Sequence, residues 1–470
     1  MRQSSLVVVA NRLPVDDSMA PDGACEWRRS PGGLVSALHA ILRQTPATWV
    51  GWAGGTGPAP SLPDIGSLRM RTVALSDHDF RQYYEGFANS TLWPLYHDAV
   101  EQPVYHRPWW EAYQEVNQRF AEAAAEVAEP GAVVWVQDYH LQLVPAMLRA
   151  LRPDVVIGFF LHVPFPPPEL FMQLPRRAEL LRGMLGADLV GFQRAQAAHN
   201  FAQLAAKLLG VPATDRRIGV DGRVVRTGAF PVSIDVTEMH ALAQHPDVVA
   251  RVRQLRADLG GPRQVLLSVD RLDYTKGIEH RLTAYSELLD EGRVKVRDTV
   301  MLQVVVPGRE RVEHYRILRD RVEREVGRIN GEHGRVGEPA VHYLNQPFDR
   351  AELVALYQAA DVMVVTPLRD GMNLVAKEFV AARVDGGGAL VLSEFAGAAD
   401  ELHRAFLVNP HDLDGLKRTL MAALEAPADE LAARMTDMRA QLREHDILAW
   451  ARSYLAALEG TGSLAARLNS

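Results

Sequence analysis

The chain has 470 residues, of which 47% are apolar and 23% charged, and a formal net charge of -7. That length exceeds what a single core serves and predicts two domains, at most three, while the composition excludes a disordered or fibrous protein. The negative balance argues against nucleic acid as a partner, so any phosphate chemistry must rest on locally placed cations.

A lone cysteine, Cys25, excludes an intrachain disulfide and fits a cytoplasmic location. The apolar run in "MRQSSLVVVANRLP" is too short for a secretory leader, and no run of about 18 apolar residues predicts a membrane span.

In chain order, "LVVVA" (6–10), "AVVWV" (132–136), "VVIGFFL" (155–161) and "ADLVGF" (187–192) predict buried strands. "GGLVSALHAIL" (32–42) and "LQLVPAMLRAL" (141–151) predict helices among them, and "DDSMAPDGACEWRRS" (16–30) resembles an inserted loop. "RQYYEGFANSTLWPLYH" (81–97) predicts an aromatic core helix, although Trp and Tyr faces also stack on pyranose rings. "HVPFPPPE" (162–169) predicts a rigid loop at a strand end.

Past "GAFPVSIDV" (228–236) the strands are "QVLLSV" (264–269), "TVMLQVVV" (299–306), "AVHYL" (340–344), "DVMVV" (361–365) and "ALVLS" (389–393). Strand and helix alternate throughout, which predicts α/β architecture: two doubly wound domains with parallel sheets. The expected boundaries are 1–235 and 236–449, with the last helix, about 450–470, packing back on the first domain. In such folds ligands sit beyond the carboxyl ends of the strands, and a central cleft between two domains is the natural site.

The loops after those strands carry the chemistry. "TPLRDGMNLVAKEFVAA" leaves a strand through Asp370 and Gly371 and opens a helix, so the amides from Met372 to Ala376 present a phosphate site. Asp370 and Glu378, eight positions apart, suit the hydroxyls of two parts of one ligand. The blander alternative leaves Lys377 and Glu378 as solvated surface. "SVDRLDYTKGIEHRL" places Arg271 and Lys276 on a loop of the same shape, a pair able to clamp a diphosphate, and "VVVPGRERVEHY" releases Arg309 from a Pro-Gly turn.

In the first half, Arg12, Asp138 and His140 follow strands, as does His162, and Gly32-Gly33 precedes a helix where backbone can approach a phosphate. No G-x-x-x-x-G-K-[ST], G-x-S-x-G or HExxH pattern is present, which excludes P-loop, serine-elbow and zinc-peptidase chemistry; the absence of D-x-D-x-T argues against a phosphatase.

Taken together, "ANRLP", "GGL", "GW", "YYEGFANSTLWPLYH", "QDYHL", "GFFLHVPFP", "RLDYTKG", "LNQPFDR", "TPLRDGMNLVAKEFVAA" and "SEFAGAA" resemble, in order and from Leu6 to about Ala456, the retaining glycosyltransferases of the trehalose-6-phosphate synthase family. The resemblance implies a GT-B fold of two Rossmann-like domains facing a central cleft, the first binding acceptor and the second nucleotide sugar. It implies that Arg271 and Lys276 hold the donor diphosphate with backbone groups of Leu374, Val375, Ala376 and Lys377. Glu378 would take the ribose, Asp370 the glucose, Phe348 the nucleoside, and Gly32-Gly33 would close over the donor. Arg12, Tyr84, Asp138 and Arg309 would hold glucose 6-phosphate, Trp93 and Val163 would bear on anomer selectivity, and His162 would touch the donor glucose.

The implied reaction forms an α,α-1,1 bond with retention. Asp138 is the only carboxylate near enough to act as a nucleophile, and the resemblance assigns it to the acceptor, which favours same-face attack with the leaving diphosphate taking the acceptor proton. No cofactor or metal is expected, the partners are the two small substrates, and a homo-oligomer, dimer or tetramer, fits the size. The competing readings are a related transferase with another acceptor (glycerol phosphate or a cyclitol) and a catalytically silent sugar-phosphate sensor. UDP-, ADP- and GDP-glucose all remain open as donors.

Overall fold

The computed structural model describes residues 3–19, 25–29, 46–57, 66–261, 263–308 and 313–460. The chain divides into two units, Met1–Val232 with Ile447–Ser470, and Ser233–Asp446, each organised on its own sheet.

In the first unit β1 (Ser4–Arg12) runs into β2 (Val15–Met19) and β3 (Cys25–Arg29), an antiparallel ribbon in register from Val15↔Arg29 to Met19↔Cys25. The stretch expected as an inserted loop therefore contains a hairpin. The remaining strands are β4 (Ala47–Trp52), β5 (Leu68–Thr72), β6 (Ala128–Gln137), β7 (Val156–Leu161), β8 (Leu189–Phe192), β9 (Ala213–Thr214), β10 (Arg217–Val220) and β11 (Arg223–Ala229). They order as β5-β4-β1-β6-β7-β8-β11-β10-β9.

From β5 to β11 every pairing is parallel, whereas β10 runs antiparallel to both β11 and β9. A wholly parallel sheet was the expectation, and this edge departs from it. Asp221 and Gly222, both at positive φ (48° and 74°), link paired Val220 and Arg223, the backbone that a two-residue hairpin requires.

The second unit comprises β12 (Gln264–Arg271), β13 (Thr299–Val306), β14 (Val341–Asn345), β15 (Val362–Val365), β16 (Ala389–Ser393) and β17 (Phe406–Val408). All are parallel, in the order β14-β13-β12-β15-β16-β17. The chain winds outward from β12 through β14, then returns to β15 and winds the other way, which makes the β12/β15 boundary a topological switch point. In the first unit β1 lies between β4 and β6 in the same manner. Ligands of doubly wound sheets bind beyond the carboxyl ends at such points. Strands covered on both faces read as continuous apolar runs, and Val7, Val8 and Val9 of β1 are fully buried.

The terminal helix Ile447–Glu459 belongs to the first unit. Its Tyr454 stacks on Trp135 at 4.7 Å and donates to the Phe159 carbonyl at 3.0 Å, while Trp450 Nε1 donates to the Phe230 carbonyl at 3.0 Å. Gly158 and Gly191 make room for it: a Cβ there would come within 2.7 Å and 2.6 Å of the Tyr454 ring or hydroxyl.

Candidate active site

Arg271 stands exposed at the carboxyl end of β12, and the chain then turns through a short 3-10 segment, Tyr274–Lys276. Asp273 caps that turn by accepting from the Thr275 amide at 3.0 Å and its hydroxyl at 2.8 Å. Gly277 follows in the left-handed region (φ 61°) and opens the helix Ile278–Asp290. A Cβ at this position would lie 2.2 Å from the Thr366 carbonyl, so only glycine permits this approach. The loop after β15 is joined to the first loop by the Leu368 amide, which donates to the Thr275 carbonyl at 2.7 Å. The two loops at the switch point thus share one backbone framework.

Within it Lys276 Nζ donates to Asp370 Oδ2 at 2.6 Å. Asp370 also accepts from Asn373 Nδ2 at 3.1 Å and from the Met372 amide at 3.3 Å. The left-handed residue of this turn is Asn373 (φ 79°), and its side chain caps the helix Leu374–Ala382 by accepting the Ala376 amide at 3.1 Å. The amides of Met372 and Ala376, expected to be open to phosphate, are therefore engaged. Leu374 and Val375, partly exposed in the first turn, are left as the amide pair at the helix start.

Lys377 is fully buried, with Nζ 2.7 Å from Glu401 Oε1; burial lowers its pKa and the carboxylate opposes that. The solvated-surface alternative fails for this lysine, whose side chain holds the helix to Glu401. Glu378 is half-buried, accepts from the Tyr357 hydroxyl at 3.0 Å, and has its pKa raised by burial. Phe348 lies partly exposed in the loop after β14. Arg309, Gly32 and Gly33 fall outside the described residues.

In the first unit, Arg12 ends β1 with its guanidinium 4.9 Å from the Trp52 ring centroid. Gly54 (φ 106°) lies so near that a Cβ would be 2.4 Å from Arg12 Nη1. Trp52 packs at 5.6 Å on Tyr84, which stacks on His140 at 5.7 Å with an 8° interplanar angle. Tyr84 lies on Phe80–Leu92, the segment expected as an ordinary helix, which winds as a π-helix. Its wider coil shows in the backbone at its C-terminal end, where the Trp93 amide donates to the Ala88 carbonyl five residues back. Side chains follow the same span, Asn89 Nδ2 donating to the Tyr84 carbonyl at 2.8 Å and Ser90 Oγ to the Glu85 carbonyl at 2.7 Å. Such coils are rare and gather at functional sites.

Asp138 follows β6 at φ 71°, a conformation costing a non-glycine residue about 1–3 kcal/mol and found where a site dictates geometry. Its Oδ1 accepts the His162 amide at 3.1 Å. The His162 ring is held on both sides: Nε2 donates to Gln137 Oε1 at 2.9 Å, and Nδ1 faces Gln193 Nε2 at 3.4 Å. The tautomer follows from the glutamines, since Gln137 Nε2 donates to the Trp135 carbonyl and Gln193 Oε1 accepts the Val232 amide. Burial pushes the His162 pKa down to about 3, so the ring is neutral near pH 7 and unsuited to acid–base work. A neutral ring at the end of β7 is still a hydrogen-bonding group, as contact with a donor glucose would need. Trp93 and Val163 are buried, Trp93 4.1 Å from the His97 ring.

Among the described residues no cluster of three or more His, Cys, Asp or Glu is placed to hold a metal ion. No described helix is long and apolar enough to cross a membrane.

The model of glycosyltransferase family 20 matches residues 4–460. The chain belongs to glycosyltransferase family 20. It is 57% identical over 474 residues to the trehalose-6-phosphate synthase of Mycobacterium avium (strain 104), covering 98% of this chain and 96% of that protein. Among solved structures, the UDP-forming α,α-trehalose-phosphate synthase of Burkholderia xenovorans in complex with glucose-6-phosphate is 36% identical, with TM-score 0.89, covering 97% and 100% of the two chains. An E. coli structure bound with UDP-2-fluoro glucose is likewise 36% identical, with TM-score 0.88 and coverages of 97% and 98%.

Around these positions the family 20 chain carries supports that the sequence reading did not single out. Tyr139 OH donates to Asn89 Oδ1 at 2.8 Å, Tyr83 OH to Asn11 Oδ1 at 2.7 Å and Tyr96 OH to Gln142 Oε1 at 2.7 Å. Asn117 bonds the His140 carbonyl at 3.0 Å and the Leu143 amide at 3.1 Å. These buried bonds tie the turn after Asp138 to the π-helix and to the helix Arg107–Val127. For Tyr83 and Tyr96 the core reading of the aromatic segment fits, since both are buried, and their hydroxyls inside an apolar segment are the signal for these bonds, because a buried hydroxyl needs a partner.

Proposed function

We propose that this family 20 glycosyltransferase is an α,α-trehalose-6-phosphate synthase, transferring glucose with retention from a nucleotide-glucose to glucose 6-phosphate. The observation that carries the reading is the grouping of Lys276, Asp370 and the Leu374 and Val375 amides at the switch point of the second sheet, with Arg271 ending the adjoining strand and Glu378 on the same helix. A dianionic diphosphate suits the cations and the helix start, and the two carboxylates suit hydroxyls. Phe348 serves the nucleoside in this reading, with Gly32 and Gly33 closing over the donor. Arg12, Tyr84, Asp138 and Arg309 serve the sugar phosphate, while Trp93 and Val163 shape selectivity for the anomer.

With His162 neutral and Asp138 engaged by the His162 amide, the proton of the attacking hydroxyl goes to the departing diphosphate. The acceptor oxygen bonds C1 on the face that the diphosphate leaves, and the C1–O bond to phosphate breaks. Arg271 and Lys276 stabilise the charge released. The nucleotide sugar is a substrate and this chemistry calls for no metal. A cytoplasmic location belongs to the same reading, because both substrates are phosphorylated metabolites of the cell interior, and a homo-oligomer is proposed on the size of the chain alone.

The UDP-forming relatives favour uracil as the base. The deciding experiment supplies glucose 6-phosphate with UDP-, ADP- or GDP-glucose and follows the phosphorylated disaccharide by mass spectrometry. No such product with any donor, or product from glycerol 3-phosphate instead, sinks the proposal.

A further inference from the structure

Beneath the two switch-point loops lies a side chain that touches no solvent and carries a full charge. Arg281, on the first turns of the helix Ile278–Asp290, is completely buried. Its Nε donates to Gln303 Oε1 at 2.9 Å, and its Nη1 donates to the Lys276 carbonyl at 3.0 Å and to Thr366 Oγ1 at 3.1 Å. Its Nη2 pairs with Asp270.

The acceptors come from four places. Asp270 precedes Arg271 at the end of β12, Gln303 lies inside β13, Thr366 directly follows β15, and Lys276 ends the loop itself. Gln303 is fixed in turn, since its Nε2 donates to the Val304 carbonyl at 3.2 Å. Helical side chains lean toward the N-terminus, which is why a residue one turn into this helix reaches back under the loop that precedes it. Only a planar guanidinium with its fork of donors can serve all four acceptors together.

A buried ion pair alone would be weak evidence for anything but a structural role. What distinguishes this one is the identity of its partners. Two of them are the carbonyl of Lys276 and the neighbour of Arg271, and a third begins the loop that ends in Asp370.

We propose that Arg281 is a positioning residue for donor binding, setting Lys276 and Arg271 at the spacing a nucleoside diphosphate requires. This rests on the donor role proposed above for those two residues. Arg281 itself does not reach the ligand.

The test is a double-mutant cycle read by calorimetric titration with UDP on the whole protein. Arg281→Lys keeps a cation against Asp270 but cannot bridge the other three acceptors. It is expected to weaken UDP binding about tenfold, the effect of misplacing one charge-assisted phosphate contact of the loop it supports. The KM for glucose 6-phosphate should stay unchanged. In a Lys276→Ala background the same substitution should cost clearly less than tenfold, because only the part of its effect that passes through Asp270 and Arg271 remains. UDP affinity equal to wild type in Arg281→Lys, or a tenfold loss that persists undiminished without Lys276, overturns the inference. Should Arg281→Lys fail to fold, Thr366→Val removes one acceptor at nearly constant volume, and its coupling to Lys276→Ala decides by the same criterion. A wild-type protein that takes up no UDP overturns the functional reading first, a result distinct from either.

Discussion

Lys276 Nζ lies 2.6 Å from Asp370 Oδ2, joining the loop after β12 to the loop after β15 across 94 positions of sequence. Both side chains are mostly buried, at 13% and 14% exposure, so the pair is more than a surface contact screened by solvent. The ammonium is a donor with a choice of acceptors, the carboxylate or a ligand phosphate. Lys276→Ala leaves Asp370 without its cation and, in the proposed reading, removes a positive charge from the leaving diphosphate. Turnover should fall by about 2–4 kcal/mol of barrier, the range seen when a key electrostatic donor is removed. Steady-state kinetics with saturating substrates measures this, and an unaltered kcat refutes the leaving-group role.

Glu378 and Tyr357 form a second such relationship on the same helix. Burial raises the Glu378 pKa and the Tyr357 hydroxyl, donating at 3.0 Å, works against that rise. An ionised carboxylate accepts ribose hydroxyls best, so donor affinity should fall as pH drops through this raised pKa. Tyr357→Phe removes the opposing bond and should move that loss to higher pH; Glu378→Gln should abolish the pH dependence while weakening binding. Since the folded pKa exceeds the unfolded one, Glu378 makes the fold more stable toward acid, so unfolding at this site does not account for the lost affinity. Donor KM across pH 5 to 8 tests the shift, and identical profiles for wild type and Tyr357→Phe contradict it.

Much of the architecture was legible because parallel strands are buried on both faces and read as apolar runs; β13 and β16 fall on "TVMLQVVV" and "ALVLS". The antiparallel edge escaped because "RIGV" and "RVVRTGA" are short, half-buried and broken by arginines rather than continuously apolar, although Asp221-Gly222 was a usable hairpin signal. The π-helix escaped for another reason, since the coil's width leaves little mark on the spacing of apolar residues. Residue types in the site loops were visible in sequence, but their pairing was not. Arg281 meets Gln303 across 22 positions and Thr366 across 85, and an arginine at a helix start looks like any other until the fold closes over it.

His162 makes an acid-sensitive element in the first unit. Its folded pKa, about 3, lies below the ordinary 6.5, so the unfolded chain takes up a proton that the folded one refuses. Stability from this group is whole above pH 6.5 and declines by about 1.4 kcal/mol per pH unit as pH falls from there toward 3. His162→Asn removes the proton site. It should be less stable than wild type at pH 7, because the Gln137 and Gln193 contacts loosen, yet lose less on going to pH 4.5. Urea denaturation at both pH values gives the comparison, and equal losses in the two proteins rule the explanation out.

Gly277 is where backbone freedom and close packing meet between the loops after β12 and β15. Its φ of 61° is strained for any residue with a Cβ, and that atom would stand 2.2 Å from the Thr366 carbonyl oxygen. Neither neighbour can yield easily: the Leu368 amide pins the second loop to Thr275, and Arg281 holds both the Lys276 carbonyl and the Thr366 hydroxyl. Gly277→Ala must therefore push the two loops apart. The left-handed conformation alone costs about 1–3 kcal/mol, and the clash adds to it. If Lys276 and Asp370 hold the donor as proposed, UDP affinity should drop at least about tenfold, because they sit on opposite sides of the displaced junction, while the proposed glucose 6-phosphate contacts of the first unit are untouched. Thermal unfolding and UDP titration on one preparation check both parts, and an alanine variant that binds UDP as wild type does would show that this close approach is not needed for the donor site.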